Sequence, residues 1–552
     1  MNLYADLLLR GGPIYTADAA RPRSEAVAVR GRHILALGRE TELAELCGLK
    51  TEVIDLGGRL LLPGFTDSHI HFIEVALRAA QIDATGAGSA HAVAEIVRVK
   101  AAGTAPGTWI LGGGWDVNLW SDGNIRWCTL LDAAAPDHPV ALDCKDLHSL
   151  WVNSRALEQA GITSSTPDVA GGVIERDRSG EPTGMLRENA VTLVRQRIPV
   201  PGVAETAAAV RAALPRAWAA GIVAIHNAND SPDGLALRTY QLLRERNELG
   251  LRVLQYIPSG SLGYARALGL RSGYGDDRLR IGGVKFFADG SLGSRTASML
   301  QPYVGQSLEG NRGVLTMAAE ELLEQALAAS SAGLSLAIHS IGDRANREVL
   351  DILSTVRRHE SIPELRRQSA ATPVGGRRLR HRIEHVQCIH PNDLPRLAQL
   401  EVIASVQPIH ATSDMGMVDA HWGPDRARCA YAFRSLLDSG ARLVFGSDGP
   451  VEPFAPLVGI HAAVTRRRAD GSPGAVGWQG QERVTLDEAI DAYTRWPAFA
   501  AGEEGYRGSI AAGKVADLVV LSRDIFAVEP MEILQADVDL TLLDGQVVWR
   551  RF

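Results

Sequence analysis

Continuous apolar segments alternate with segments of helical character through the middle of the chain. This pattern predicts eight strands, each followed by a helix, at residues 60–65, 221–227, 251–257, 281–289, 334–339, 380–386, 402–406 and 442–445. Strands that are apolar on both faces are typical of a parallel sheet covered by helices. The predicted fold class is therefore α/β, with a (β/α)8 TIM-like barrel whose functional loops follow the carboxyl ends of its strands.

Both ends of the chain predict short β-strands. Apolar segments separated by turn residues occur at 7–9, 26–29, 34–36, 517–521 and 540–543, and Asp544-Gly545 predicts a hairpin. Because chain ends often lie close together, we expect residues 1–62 and 501–552 to form one composite β-sandwich domain. Residues 63–75 and 204–500 would then form the barrel.

A large insertion, residues 76–203, separates the first two predicted barrel strands. It contains five of the ten tryptophans: Trp109, Trp115, Trp120, Trp127 and Trp151. One interpretation is an inserted subdomain with its own core. The other is a cap in which Trp115, Trp120 and Trp151 line a substrate pocket, since pockets are largely apolar.

Composition and charge exclude several classes of protein. Hydrophobic residues make up 46% of the chain, which is enough for a globular core, and the net charge is −7, which disfavours a nucleic-acid partner. Five cysteines with no C-x-x-C pair indicate a reducing compartment. With no apolar stretch long enough to span a membrane, we expect a cytoplasmic protein without a membrane partner. Whether it forms a homodimer stays open.

Polar side chains that could carry chemistry stand in or directly after the predicted strands. They are His69, His71, His226, Lys285, His339, His385 and Asp448. Because side chains alternate along a strand, His69 and His71 share a face and could bind one metal ion together. Lys285 lies within the apolar run GGVKFF, where an unpaired ammonium is costly to bury. Their grouping at one rim of a barrel predicts a metal site.

Other residues leave alternatives open. His226, Asp289 and Arg295 are candidate substrate contacts, and structural pairing is an equally good explanation for each. The string from His381 to His385 matches the H-x-x-E-H pattern of a zinc protease class, which needs a helix. The alternation of apolar and polar positions there favours a strand instead.

Several motifs, in their order along the chain, resemble the amidohydrolase superfamily. They are GFTDSHIHF, VKFFADGSLGSRTA, AIHSIGDRAN, RIEHVQ and FGSDGPVEP. The resemblance is closest to amidohydrolase family 3, a branch that includes N-substituted formamide deformylases. ADLLLRGGPIYTAD and GSIAAGKVADLVVL resemble the composite β-sandwich of that family. The insertion departs from the family pattern at Leu147, where glycine is usual.

The resemblance implies a metal centre. His69 and His71 would bind one metal ion, and His339 and His385 would bind the other. Lys285, carboxylated by carbon dioxide, would bridge them as a carbamate, and Asp448 would bind metal and serve as the catalytic acid–base. We expect one or two Zn²⁺ ions per chain, bound by the residues His69, His71, Lys285, His339, His385 and Asp448.

The implied activity is hydrolysis of a C–N amide bond in a small molecule, an N-substituted formamide or another N-acyl amine. The attacking group would be metal-bound hydroxide, because a metal lowers the pKa of water to about 7. Three alternatives stay open: an esterase or lactonase, a deaminase on the same metal centre, and a non-catalytic binding protein of this fold.

Overall fold

The computed structural model describes residues 4–79, 81–115, 117, 120, 127–144, 149–169, 172–228, 231–293, 295–305, 310–362 and 378–552. The chain divides into two compact units. The first comprises Met1–Phe72 and Val210–Phe552, and the second comprises Ile73–Ala209. Leu147 lies outside the described residues.

The first unit contains an eight-stranded sheet in which every described strand pair is parallel. In chain order, its strands are Phe65–Ile70, Ile222–Asn227, Arg252–Pro258, Leu279–Phe287, Ser335–Ser340, Arg382–His385, Ile403–Val406 and Arg442–Phe445. Their residues are almost entirely buried, because helices cover the outside while side chains fill the inside. The fold is a (β/α)8 TIM-like barrel, as the apolar pattern predicted.

The segment after the last strand closes the barrel against the first strand. The backbone N–H of Asp448 donates to the carbonyl of His69 at 2.7 Å, and the N–H of His71 donates to the carbonyl of Gly449 at 2.8 Å. A Cβ atom at residue 446 would lie 2.5 Å from the backbone nitrogen of His69, so only glycine fits there. This close approach holds Asp448 beside the His69–His71 segment.

Helices connect the barrel strands, and their amphipathic sequences supply the apolar faces that cover the sheet. The helices within the first unit are Glu40–Leu43, Leu235–Glu245, Leu262–Ala267, Ala319–Ser331, Asp343–Ser361, Leu394–Gln399, Pro408–Ser413, Met415–His421, Gly423–Ala427, Phe433–Asp438, Pro456–Thr465, Leu486–Tyr493 and Arg495–Ala501. No helix in the described part of the chain has both the length and the apolar character that crossing a membrane requires.

Strands from the two chain ends build one further sheet in this unit. Its order is Gln546–Arg550, Val538–Leu543, Leu518–Leu521, Leu60–Pro63, Ala5–Tyr15, Arg23–Arg30 and His33–Gly38, with Cys47–Asp55 paired to Ala5–Tyr15. The predicted hairpin at Asp544-Gly545 is confirmed, because Val538–Leu543 pairs with Gln546–Arg550 in antiparallel register.

The second unit has its own mixed six-stranded sheet. The strands, in sheet order, are Gly172–Arg176, Pro182–Glu188, Ser149–Val152, Val140–Cys144, Ile110–Trp115 and Ile82–Asp83. Its helices are Ala90–Ala102, Trp127–Ala134, Ser154–Ala160 and Val191–Arg195, while Phe72–Ala79 and Val203–Ala219 each cross a boundary between the units.

The position of the first barrel strand corrects the sequence prediction. The segment 60–65 was expected to be that strand, but Leu60–Pro63 pairs with the terminal sheet and the barrel begins at Phe65. The apolar run continues through residues 60–65, but Pro63-Gly64 ends one strand and Phe65 begins another. The sequence prediction therefore treated two short strands as a single strand. The H-x-x-E-H segment is a strand, Arg382–His385, which removes the helix that the protease motif needs.

Candidate metal centre

Three of the predicted ligands converge where the first and last barrel strands meet. Oδ1 of Asp448 lies 3.2 Å from Nε2 of His71 and 3.4 Å from Nε2 of His69. One donor atom from each residue falls within 4.8 Å of the other two, a separation that one metal ion can bridge. His69 is fully buried and His71 is partly exposed, so the group lies at the edge of the barrel interior.

Backbone strain accompanies this arrangement. Asp448 has φ +57°, His385 has φ +75° and Val386 has φ +45°, all in the left-handed region that L-residues avoid. Such strain is typical of functional sites, where the surrounding structure holds side chains in directions that a relaxed strand end would not give. Here it bends the chain directly after the sixth and eighth barrel strands.

His385 and His339 extend the cluster across the neighbouring strands. The ring centroid of His385 lies 4.8 Å from that of His69 and 4.5 Å from that of His339. Nε2 of His339 is 3.0 Å from the carbonyl oxygen of Gly290, which must accept a hydrogen bond, so Nδ1 is the nitrogen that keeps a lone pair. Burial lowers the pKa of His339 to about 4 and that of His385 well below its ordinary value, which keeps both rings neutral.

A buried ion pair orients His69 from below. Nδ1 of His69 is 2.5 Å from Oε2 of Glu384, and Arg382 donates to both carboxylate oxygens of Glu384. Burial alone would raise the pKa of Glu384, but the Arg382 guanidinium and His69 hold it well below the usual range. The ionised carboxylate therefore accepts a hydrogen bond from the Nδ1–H group of His69, which leaves a lone pair on Nε2, the nitrogen that faces Asp448.

Lys285 lies in the fourth barrel strand and is almost completely buried. Its Nζ is 5.1 Å from the centroid of the Phe287 ring, and none of the described carboxylates lies within 4 Å of it. Burial lowers the pKa of Lys285 to about 8. A fraction of the side chain is therefore unprotonated near neutral pH, and the neutral amine is a nucleophile.

The donor set fits a divalent metal ion. Nε2 of His69 is buried and has no hydrogen-bond partner among the described residues, which is costly unless a cation or water occupies the space in front of it. Neutral imidazoles and a carboxylate are the ligands that zinc prefers. Burial lowers the pKa of His69 to about 4, and the His71 hydrogen bond with nearby imidazoles holds that of Asp448 well below its ordinary value despite burial.

The three candidate substrate contacts lie in different surroundings. His226 is fully buried inside the barrel, where its Nδ1 accepts from Arg382 at 3.0 Å. Asp289 is buried and accepts from the backbone N–H groups of Ser298, Ile341 and Gly342, while burial raises its pKa to about 7. Arg295 is exposed, with φ +55°. His226 and Asp289 thus have structural partners.

The tryptophans of the insertion pack against one another within the second unit. The rings of Trp115, Trp120, Trp127 and Trp151 lie 5.2–6.2 Å apart in every pairing. Trp115 donates its Nε1–H to the carbonyl of Leu142, and Trp151 donates to the carbonyl of Trp127. Both side chains are buried in a cluster formed by residues of that unit.

Sequence reasoning missed Glu384, Gln407 and His410. Gln407 follows the seventh barrel strand, and its Oε1 accepts from Nδ1 of His385 at 2.8 Å. His410 contributes a donor atom within 4.8 Å of donors from His385 and Asp448. Applying the search for polar residues after each strand to strand seven as well would have found both, but the intervening Pro408 reads as the start of a helix.

A parallel barrel with a histidine–carboxylate cluster at the carboxyl ends of its strands is typical of metal-dependent enzymes. The chain belongs to the amidohydrolase family, whose sequence model matches residues 52–549. Membership of this family supports the conclusion that the protein is a hydrolase.

Two relatives and one solved structure are similar over almost the whole chain. Protein LONG AFTER FAR-RED 3 of Arabidopsis thaliana is 34% identical, covering 94% of this chain and 88% of its own. N-substituted formamide deformylase of Arthrobacter pascens is 29% identical, covering 100% and 99%. An uncharacterized metal-dependent hydrolase of Pyrococcus furiosus is 28% identical, with a TM-score of 0.75 and coverage of 95% and 99%.

Proposed function

We propose that this protein is a metal-dependent hydrolase of a C–N amide bond, with an N-substituted formamide or another N-acyl amine as its substrate. The observation that carries the proposal is the convergence of His69, His71 and Asp448 at the carboxyl edge of the barrel. The buried Nε2 of His69 at this point has no hydrogen-bond partner among the described residues. The substrate class rests on similarity to the Arthrobacter pascens protein, which is named as an N-substituted formamide deformylase.

The residues that would hold the metal are those of the edge cluster. They are His69, His71, His339, His385, Asp448 and Lys285 in carbamate form. When bound, a divalent ion such as zinc makes water nucleophilic near neutral pH and polarises a carbonyl group. Glu384 and Gln407 fix the tautomers of His69 and His385, so each ring presents Nε2 with its lone pair.

Lys285 would join the ligand set through reaction with carbon dioxide. The Lys285 ammonium first releases one proton to solvent and becomes a neutral amine. Its Nζ then forms a bond to the carbon of CO2 as one C=O π bond opens, and Nζ releases a second proton, so a buried cation becomes an anion. The lowered pKa of Lys285 favours this step, because only the neutral amine has the lone pair that attacks. Carbamate formation would also remove the cost of burying an ammonium that has no carboxylate partner within 4 Å among the described residues.

Asp448 would move the proton during hydrolysis. Its carboxylate is ionised before the reaction, because the His71 hydrogen bond and nearby imidazoles hold its pKa well below the ordinary value. An oxygen of Asp448 accepts the proton of the attacking water and returns it to the nitrogen of the leaving amine. General acid–base catalysis of this kind contributes about 10²–10⁴-fold in rate.

The direct test is an assay for the two products of formamide hydrolysis. Purified protein loaded with zinc is incubated with N-butylformamide, and both formate and butylamine are measured. Equal release of the two products supports the proposal. Release of ammonia from an amino-substituted heterocycle, without cleavage of N-butylformamide, would instead identify a deaminase. Cleavage of butyl formate but not of the amide would identify an esterase.

Asp448→Asn separates the proton-transfer role from metal binding. Asparagine keeps the size and one coordinating oxygen but removes the base, so turnover should fall by at least about 10²-fold with metal content lowered at most partly. The matched control is Asp425→Asn, because the Asp425 side chain is 92% exposed. If Asp448→Asn keeps its metal and its turnover, Asp448 is only a ligand.

A further inference from the structure

His410 lies beside the metal ligands but belongs to a different element. It stands in the helix Pro408–Ser413, directly after the seventh barrel strand, and its residue surface is 6% exposed. Its ring is parallel to that of His385, with centroids 6.5 Å apart and an interplanar angle of 5°. A donor atom of His410 lies within 4.8 Å of donors from His385 and Asp448, so this imidazole faces the same space.

The hydrogen bonds of His410 give it the opposite tautomer to the proposed ligands. Nε2 of Gln387 donates to Nδ1 of His410 at 3.3 Å, so the neutral ring carries its hydrogen on Nε2. In contrast, Nδ1 of His385 donates to Gln407, which leaves a lone pair on Nε2. A ring nitrogen that carries hydrogen cannot bind a metal ion, but it can donate a hydrogen bond.

The Nε2–H group of His410 has nothing to donate to among the described residues. It is buried, and a buried donor without a partner is costly unless a molecule that enters the site accepts from it. Because Nδ1 is taken by Gln387, Nε2 is the nitrogen left to act on such a molecule. The acceptor would be an oxygen or nitrogen atom of a molecule bound beside His385 and Asp448, the residues that His410 adjoins.

We propose that His410 is a catalytic hydrogen-bond donor to the carbonyl oxygen of the substrate rather than a metal ligand. This inference rests on the proposed amide hydrolysis, in which that oxygen gains negative charge as water attacks. A fixed donor stabilises the charge as it develops, and removing one such donor reduces turnover by about 10²–10³-fold in other hydrolases. Gln387 then acts as a positioning residue that sets the tautomer of His410.

Two substitutions at residue 410 test the donor role. His410→Phe keeps the ring shape without a donor, and His410→Gln keeps an N–H group near the position of Nε2. We expect both variants to bind as much zinc as the parent protein. Turnover of N-butylformamide should fall by about 10²-fold in His410→Phe, with little change in KM, and recover substantially in His410→Gln.

Binding of butylphosphonate, an anionic tetrahedral mimic, gives a readout that does not depend on turnover. Calorimetry on zinc-loaded protein should show affinity about 10–100-fold weaker for His410→Phe than for the parent, as expected for a lost hydrogen bond to a charged group. The control pair is His33→Phe and His33→Gln, at an exposed histidine of the terminal sheet, which should change neither quantity.

Loss of zinc from His410→Phe would overturn the inference, because it would make His410 a ligand. Unchanged phosphonate affinity and turnover in His410→Phe would overturn it as well. Failure of the parent protein to hydrolyse any formamide would instead contradict the proposed function. In that case the phosphonate comparison still tests His410, since it needs only the metal-loaded site.

Discussion

Nδ1 of His69 lies 2.5 Å from Oε2 of Glu384, and both side chains are almost completely buried. This contact links the proposed metal centre at the barrel edge to the ion pair between Glu384 and Arg382 in the barrel interior. The same kind of contact recurs at the opposite ends of the strands, where Nε2 of His381 lies 2.8 Å from Oε1 of Glu360. Only the His69 pair touches the proposed ligands, so the two pairs can be compared experimentally.

Glu384→Gln should weaken metal binding without removing any ligand. The amide cannot provide the negative charge that fixes the Nδ1–H tautomer of His69, and loss of such a partner costs about 10–100-fold in metal affinity. Competition with a chromogenic chelator measures this affinity. The matched control is Glu360→Gln, which should lower stability but leave metal affinity unchanged. Equal affinity in Glu384→Gln and the parent would show that Glu384 does not orient the ligand.

Lys285→Ala should lose one or more metal ions, because alanine cannot form the carbamate. Short carboxylic acids such as acetate should restore part of the metal content and activity by occupying the vacated place. Lys285→Arg should not bind metal normally, since a guanidinium keeps its charge and forms no carbamate. Incorporation of labelled carbon dioxide into the parent, but not into the variants, provides an independent readout. A parent protein with bound metal and an unmodified Lys285 ammonium would contradict this role.

Trp151→Ala should destabilise the second unit more than it changes substrate preference. Trp151 is fully buried against three other tryptophans, and truncation of such a side chain costs about 3–5 kcal/mol. Thermal melts beside kinetics on N-butylformamide and a bulkier formamide separate the two effects. Tyr264→Ala is the control, because Tyr264 is 74% exposed. Normal stability with an altered preference between the two substrates would assign Trp151 to a pocket wall.

Acid should destabilise the protein partly through His381. Nδ1 of His381 accepts from the backbone N–H of Leu336, so a proton on Nδ1 breaks that bond. Burial lowers the pKa of His381 below its unfolded value of about 6.5, so the unfolded state binds the proton first and stability falls as pH drops below about 6.5. Glu360 acts in the same direction at lower pH, because His381 and Arg357 hold its pKa below the usual range although burial opposes them.

The measurement is the free energy of unfolding in urea between about pH 7 and about pH 5 for the parent and for His381→Asn. The variant should start less stable but lose less stability on acidification. A single proton contributes at most about 1.4 kcal/mol per pH unit to the difference in slope. Identical slopes in the two proteins would exclude His381 as a source of acid sensitivity.

Much of the barrel could be predicted because its strands are buried on both faces and read as continuous apolar runs. The same property concealed the break at Pro63-Gly64, since a run of buried residues does not reveal which sheet each half joins. The positions of His69, His385 and Asp448 were accessible because polar residues at the ends of apolar strands stand out. The partners that orient them were not, because the pairing of Glu384 with His69 depends on strands far apart in the chain.

Two features of the site depend on geometry that residue types do not encode. The tautomer of His410 is set by a hydrogen bond from the amide of Gln387. The two residues are far apart in the sequence, so nothing in the sequence indicates that they pair. The backbone at His385, Val386 and Asp448 is left-handed, but none of these residues is glycine, the residue type that would have indicated a left-handed conformation in the sequence. Both arise because the closed barrel brings the ends of neighbouring strands together.

Metal content and its link to activity test the central claim most directly. Elemental analysis of the purified protein should find about one to two divalent ions per chain, and the histidine-rich donor set leads us to expect zinc. Removal of the metal with a chelator should abolish release of formate and butylamine, and zinc or manganese should restore it. Full hydrolytic activity in protein shown to be free of metal would contradict the account.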